Sequence, residues 1–233
     1  MNYLLSIILL LVTLCVQAQT PKQRIALVNQ KFNKVADYSA DIHLHFAIPS
    51  VKLGDMNGKV FFKKPTKFRI RVKGIAFLPK QNPYYSLAAL ADTNSYTAIN
   101  TGEEKVGTAN AVIIQVLPNG GENDLILGKF WIDKAQNLIL KSQLTTKSAG
   151  TIQIENSYGA NASMPYGLPD LMTLTVDMSK FRVPKMVSAD INSKSSHPAG
   201  ESRKGTGVIT LQYSHYAVNS KVPDAVFTED AGQ

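Results

Sequence analysis

The chain has almost no cysteine. Cys15 is the only one in 233 residues, and Trp131 is the only tryptophan. Disulfide stapling is thereby excluded, so stability must come from burial of apolar side chains. Acidic residues are also scarce: 17 against 25 Lys and Arg, a formal net charge of +8. Enzyme signatures are missing too. The sequence holds no H-E-x-x-H zinc motif, no G-x-S-x-G elbow, no Walker phosphate loop and no dinucleotide-binding glycine fingerprint. There is one long apolar run, Leu4 to Val16. Its thirteen residues fall short of the ~20 that span a bilayer as a helix.

That run reads as the core of a secretory signal peptide. Val16-Gln17-Ala18 supplies small residues at the positions a signal peptidase requires, so cleavage is expected after Ala18. No Lys or Arg precedes Lys22, so the amino terminus is the only positive charge ahead of the core. Cys15 raises an alternative, a lipid anchor on that cysteine. The large Leu14 stands where lipidation needs a small residue, and this argues against it. The expectation is residues 1–18 as signal peptide and 19–233 as a single periplasmic domain without cysteine. Export makes nucleic acid a poor partner for the basic surface, leaving anionic headgroups or acidic partners.

Thr20-Pro21 predicts a helix start, with Thr as N-cap and Pro in the first turn. Ile25, Val28, Phe32 and Val35 then recur at spacings of three and four and form one apolar stripe. Past Asp37 the period changes to two. Ile42, Leu44, Phe46 and Ile48 alternate with Asp41, His43, His45 and Ala47. Gly58–Lys64 and Lys67–Lys73 predict a hairpin turning near Pro65-Thr66. Its second strand sets Phe68, Ile70 and Val72 against Lys67, Arg69, Arg71 and Lys73. Further strands are expected at Ser95–Asn100, Ala111–Leu117, Gly128–Asp133, Leu138–Thr146, Thr151–Tyr158, Leu171–Met178 and Gly207–Tyr216. Turn chemistry separates them at Asn119-Gly120-Gly121, Asp133 to Asn137 and Ala149-Gly150. Asn82–Ala91 is the exception, a short apolar helix opened by Asn82-Pro83. Asn192–Thr206, rich in Ser, Lys and Gly, reads as a loop.

The fold class is therefore mainly β with two or three helices. A meander of this length should curl toward a barrel or an incomplete barrel, with the helices packed over or inside its concave face. Such an arrangement encloses either a filled core or an apolar cavity.

The hairpin motif Gly58-Lys59-Val60-Phe61-Phe62-Lys63-Lys64-Pro65, followed by Lys67-Phe68-Arg69, resembles that of a known family. So do Trp131-Ile132-Asp133 with Leu138-Ile139-Leu140-Lys141, and the Phe32–Ser39 passage from helix to strand. The family is the periplasmic lipoprotein carriers of the LolA/LolB type, the outer-membrane lipoprotein-sorting proteins. The resemblance covers roughly Gln23 to Tyr158. It implies a half-barrel with a helical lid over a cavity for acyl chains, and donor and acceptor proteins in the inner and outer membranes as partners. It places Lys64 at a gating position occupied by arginine in the carriers, and Asn82–Leu90, including Tyr84, at the lid. The lysine lacks the arginine's planar donor fork, and a hairpin usual in the carriers before the lid is missing.

On this reading Ile42, Leu44, Phe46, Phe62, Phe68, Ile70, Leu87 and Leu90 line the cavity, and Lys64 and Tyr84 serve as gate and lid. No catalytic residue, cofactor or metal is implied, and a monomer is expected. His43 and His45 share a strand face at a spacing that can bind metal, but without a third ligand they read as an ordinary wet face. The Lys67 to Lys73 stripe reads as wet face or as a docking site for an acidic partner or membrane. Trp131 reads as core or cavity wall. The leading function is a soluble carrier of lipoprotein or lipid acyl chains. The rivals are a non-catalytic envelope binding module with a filled core, and a hydrolase on a β-sheet scaffold.

Overall fold

The computed structural model describes residues 19–49, 54–72, 90, 92–120, 124–147, 150–159, 164–177 and 205–228. The predicted signal peptide, most of the lid segment including Tyr84 and Leu87, and most of the predicted loop lie outside these.

Helix α1 spans Pro21–Phe32. A reciprocal capping box opens it. The Gln23 backbone N–H donates to Thr20 Oγ1 (3.2 Å), and the Thr20 N–H donates to Gln23 Oε1 (2.9 Å). The helix stops at Phe32, with Asn33 as C-cap. Val35, the last member of the apolar stripe, is fully buried in the turn beyond it.

Ten strands follow: β1 Asp37–Ala47, β2 Met56–Lys63, β3 Lys67–Val72, β4 Tyr96–Val106, β5 Ala109–Pro118, β6 Leu125–Asp133, β7 Ile139–Thr146, β8 Gly150–Ser157, β9 Leu171–Asp177 and β10 Thr206–Val218. A 3-10 turn at Met164–Tyr166 precedes β9, and a single-turn helix α2, Ala225–Thr228, follows β10. All the pairings are antiparallel. The order is β3-β2-β1-β10-β9-β8-β7-β6-β5-β4, so the sheet has two edges and is not closed into a barrel. The meander is thus cut at an unexpected place. β10 returns to pair with β1, and the opening falls between β3 and β4, the strands that residues 73–95 join.

Turn chemistry acts where the composition put it. Asp133 Oδ1 accepts from the N–H groups of Ala135 and Gln136, and Asn137 takes a left-handed φ of 52°. β4 runs six residues further than expected. Its second half, Thr101 to Lys105, is exposed on both faces, as an edge strand allows, so it carries no hydrophobic period. A bulge between Asn100 and Gly102 bends it, with Gly102 at φ 131° and its N–H capped by Asn100 Oδ1 (2.9 Å).

One apolar cluster occupies the inner face and takes side chains from every strand and from α1. Continuity of that cluster across ten strands requires the sheet to wrap around it.

Candidate functional site

The alternation of β1 sends Ile42, Leu44 and Phe46 into this cluster, beside Phe62 of β2. Phe68 and Ile70 of the edge strand β3 pack against it and are partly buried. Leu90 is buried in it as well, from a segment outside the sheet. Seven of the eight residues expected to line a cavity therefore share one apolar interior; the eighth, Leu87, lies outside the described residues.

Helix α1 lies against this interior through few apolar contacts. Ile25 and Val28 are buried, and the Phe32 ring meets Phe62 at 5.3 Å between centroids. Polar bonds hold its rim. Lys22 Nζ donates to the Thr93 carbonyl (2.7 Å), and Arg24 donates to the Lys134 carbonyl (3.0 Å) and to Asn137 Oδ1 (2.7 Å). The buried Asn29 amide donates to the Leu90 carbonyl (2.7 Å). Lys64 Nζ donates to the Asn33 carbonyl at the C-cap of α1 (2.8 Å), while its backbone N–H donates to Ala36. Lys64 therefore clasps the end of α1.

Between α1 and strands β6 to β9 is a cavity of about 40 Å³. Val28, Phe32, Phe130, Ile154 and Met172 form its apolar wall, and Asn156 and Tyr158 add polar groups. Both of these donate to the Ile139 carbonyl, at 3.0 and 2.9 Å, and burial pushes the Tyr158 hydroxyl pKa upward. Asn156 Oδ1 is buried without a hydrogen-bond partner. The space suits a water or two. It lies on the inner face that the sequence indicated, but under α1 and bounded by other residues of that face. The alternation of β8 and β9 carried the signal for Ile154 and Met172; the meeting of these strands with α1 is tertiary.

The outer face is polar. His43 Nδ1 meets Asn57 Oδ1 (2.8 Å), His45 Nδ1 meets Asp55 Oδ1 (2.7 Å), and His215 Nδ1 meets Asp41 Oδ2 (3.1 Å). The hydrogen bond from His45 is the main cause that holds the Asp55 carboxyl below the usual carboxylate range. Among the described residues no group of three or more His, Cys, Asp and Glu side chains can hold a metal ion.

Trp131 is buried, as the core reading from sequence expected, but in a second and smaller cluster. Its neighbours Phe130 and Ile132 enter the main core, which turns Trp131 to the opposite face. There it packs on Ala111 and Ile113, with Lys129 and Lys141 over its ring at 4.7 and 5.0 Å, and its indole N–H donates to Glu104 (2.7 Å). It belongs to this second core cluster and does not line the cavity under α1.

No family model matches the sequence, and no curated protein matches it. Solved structures do match by fold. A LolA superfamily protein from Nitrosomonas europaea aligns over 91% of this chain and 99% of its own, with TM-score 0.57 and 11% identity. An outer membrane lipoprotein-sorting protein domain from Vibrio parahaemolyticus aligns over 90% and 97%, with TM-score 0.57 and 9% identity. A DUF1329 family protein from Desulfovibrio piger aligns over 91% and 98%, with TM-score 0.55 and 12% identity. An unclosed antiparallel sheet around an apolar interior, with a helix laid against it, is thus the fold this chain shares with LolA superfamily proteins and the lipoprotein-sorting domain.

Proposed function

We propose that the protein is a soluble carrier of the cell envelope, exported to the periplasm, that takes acyl chains of lipoproteins or lipids into its apolar interior. The observation that carries this reading is the inner face. Ten strands of an unclosed sheet surround an interior of apolar side chains, covered on one side by a helix that buries little. No bond is broken; cargo is held and released by differential affinity.

Magnitudes decide whether the helix can yield. The existing cavity is about eight to twenty-five times smaller than a typical ligand pocket of 300–1,000 Å³. Acyl binding therefore requires α1 to move, exposing Ile25, Val28 and Phe32 at a cost of roughly 5–9 kcal/mol. An acyl chain of about fourteen methylenes returns about 11 kcal/mol at ~0.8 kcal/mol each. The exchange is favourable by a modest margin, as a reversible carrier needs. The rim bonds to Thr93, Lys134, Asn137 and Leu90 come from side chains that can exchange protein carbonyls for water.

The small cavity also supports the second reading, a non-catalytic envelope binding module with a filled core. Titration with a fluorescent fatty acid separates the two. A carrier gives saturable uptake at one site, weakened when Met172→Trp fills the space under α1. Absence of saturable uptake by folded wild-type protein would leave the binding module as the better account.

A further inference from the structure

The basic stripe seen in the sequence is part of a larger patch. In the β2–β3 hairpin Lys59 lies across from Arg71, Phe61 from Arg69, and Lys63 from Lys67. Paired residues share a face, and Val60 and Phe62 point into the core, so all six stand on the outer face. Five cations thus surround one aromatic ring, and Arg71 lies 5.7 Å from the Phe61 centroid.

This patch already holds an anionic occupant, and it belongs to the same chain. Asp224 Oδ1 is 2.9 Å from both Lys63 Nζ and Lys67 Nζ. Arg69 and Arg71 donate to the Val226 carbonyl at 3.2 and 3.3 Å, and Lys63 donates to the Val222 carbonyl at 3.1 Å. The Phe227 ring lies 6.0 Å from Lys67 Nζ. The segment from Val222 to Thr228 is a strap laid over the cations. Its charged contacts are solvent-exposed, with Asp224 61% and Lys67 45% exposed, and such contacts bind weakly and exchange readily.

We infer that the outer face of the β2–β3 hairpin docks on a bilayer carrying anionic phospholipid headgroups, and that the Val222–Thr228 strap covers it until the membrane displaces it. A carboxylate bridging two ammonium groups and a carbonyl shared by two guanidinium groups are the contacts a phosphodiester headgroup would make. The bilayer is favoured over an acidic protein by the five cations placed around the aromatic Phe61, which a charged interface with an apolar layer beneath it matches. β3 is also one lip of the sheet opening, so docking would bring that opening to the membrane. The proposal stands apart from the cavity reading.

Sedimentation with liposomes tests it, using phosphatidylcholine alone and phosphatidylcholine mixed with phosphatidylglycerol in equal parts. The mature chain, residues 19–233, is expected to bind only the anionic liposomes, less so as salt rises. Arg69→Gln with Arg71→Gln should weaken binding roughly thirtyfold, and Asp224→Asn should tighten it about fivefold. Should the double variant fail to fold by circular dichroism, Lys59→Gln with Lys67→Gln takes its place. Equal binding to both liposomes, or unchanged binding by a folded charge variant, overturns docking; weaker binding by Asp224→Asn overturns the strap. Binding to a polyaspartate peptide with no binding to either liposome replaces the bilayer by an acidic protein. A chain that docks but takes up no fatty acid contradicts the carrier function and leaves this proposal standing.

Discussion

Two glycines show how differently single positions are constrained. A Cβ on Gly58 would lie 2.2 Å from the Arg71 backbone carbonyl oxygen, and backbone paired in a sheet cannot step aside. A Cβ on Gly128 would lie 2.7 Å from the Phe130 ring, a side chain that borders the small cavity and has somewhere to go. Gly58→Ala should therefore cost about 3 kcal/mol and Gly128→Ala about 1 kcal/mol, at the two ends of the usual overpacking range. Urea unfolding of both variants checks the order; an equal or reversed cost would show that the hairpin slides to accommodate the methyl. Neither constraint was legible in the sequence. Gly58 reads as an ordinary strand start, since its tight contact comes from the partner strand. The inner-face residues were legible, because alternation in β1 fixed which side of the strand Ile42, Leu44 and Phe46 must take. Trp131 was legible only in part: alternation sets it opposite Phe130 and Ile132, but that it meets Ala111 and Ile113 in a separate small cluster is tertiary.

At the scale of elements, helix α1 was readable to its first residue, since Thr20, Pro21 and Gln23 are local signals. The second half of β4 was not, because a strand wet on both faces has no period. Nor was the C-terminal strap, whose partners lie more than 150 positions away in sequence. Hydrogen bonds from Lys63 and then Lys67 hold the Asp224 carboxyl below the usual carboxylate range. A carboxyl whose pKa is lowered in the folded state stabilises the strap fully above its unfolded pKa. That contribution is lost as pH falls through the lowered folded value. The strap should therefore stay seated at neutral and mildly acid pH and loosen only below the ordinary carboxylate range. Amide NMR signals of Val226 and Phe227 followed against pH would show this. Loosening that began near neutral pH would contradict the hold of Asp224 on the strap.

For the whole molecule, the length of the meander and its two-faced strands indicated a curled sheet with helices against it. The structure has the unclosed sheet with α1 against it, while most of the expected lid helix lies outside the described residues. The strand order was beyond the sequence. Nothing local says that β10 returns to β1 and leaves the opening between β3 and β4. That cut matters, because it sets the basic β2–β3 hairpin and its strap at one lip of the opening and the long polar β4 at the other. The interior volume was equally out of reach, for it depends on how closely Val28 and Phe32 of α1 settle on the sheet. The central claim is that this helix yields to an acyl chain. Native mass spectrometry of protein purified without detergent and incubated with phospholipid or a triacylated lipopeptide tests it most directly. The account predicts a folded protein carrying one acylated ligand per chain, with a smaller liganded fraction when Met172→Trp fills the space beneath α1. A spectrum showing only the bare polypeptide mass, under conditions that preserve its fold, would contradict it.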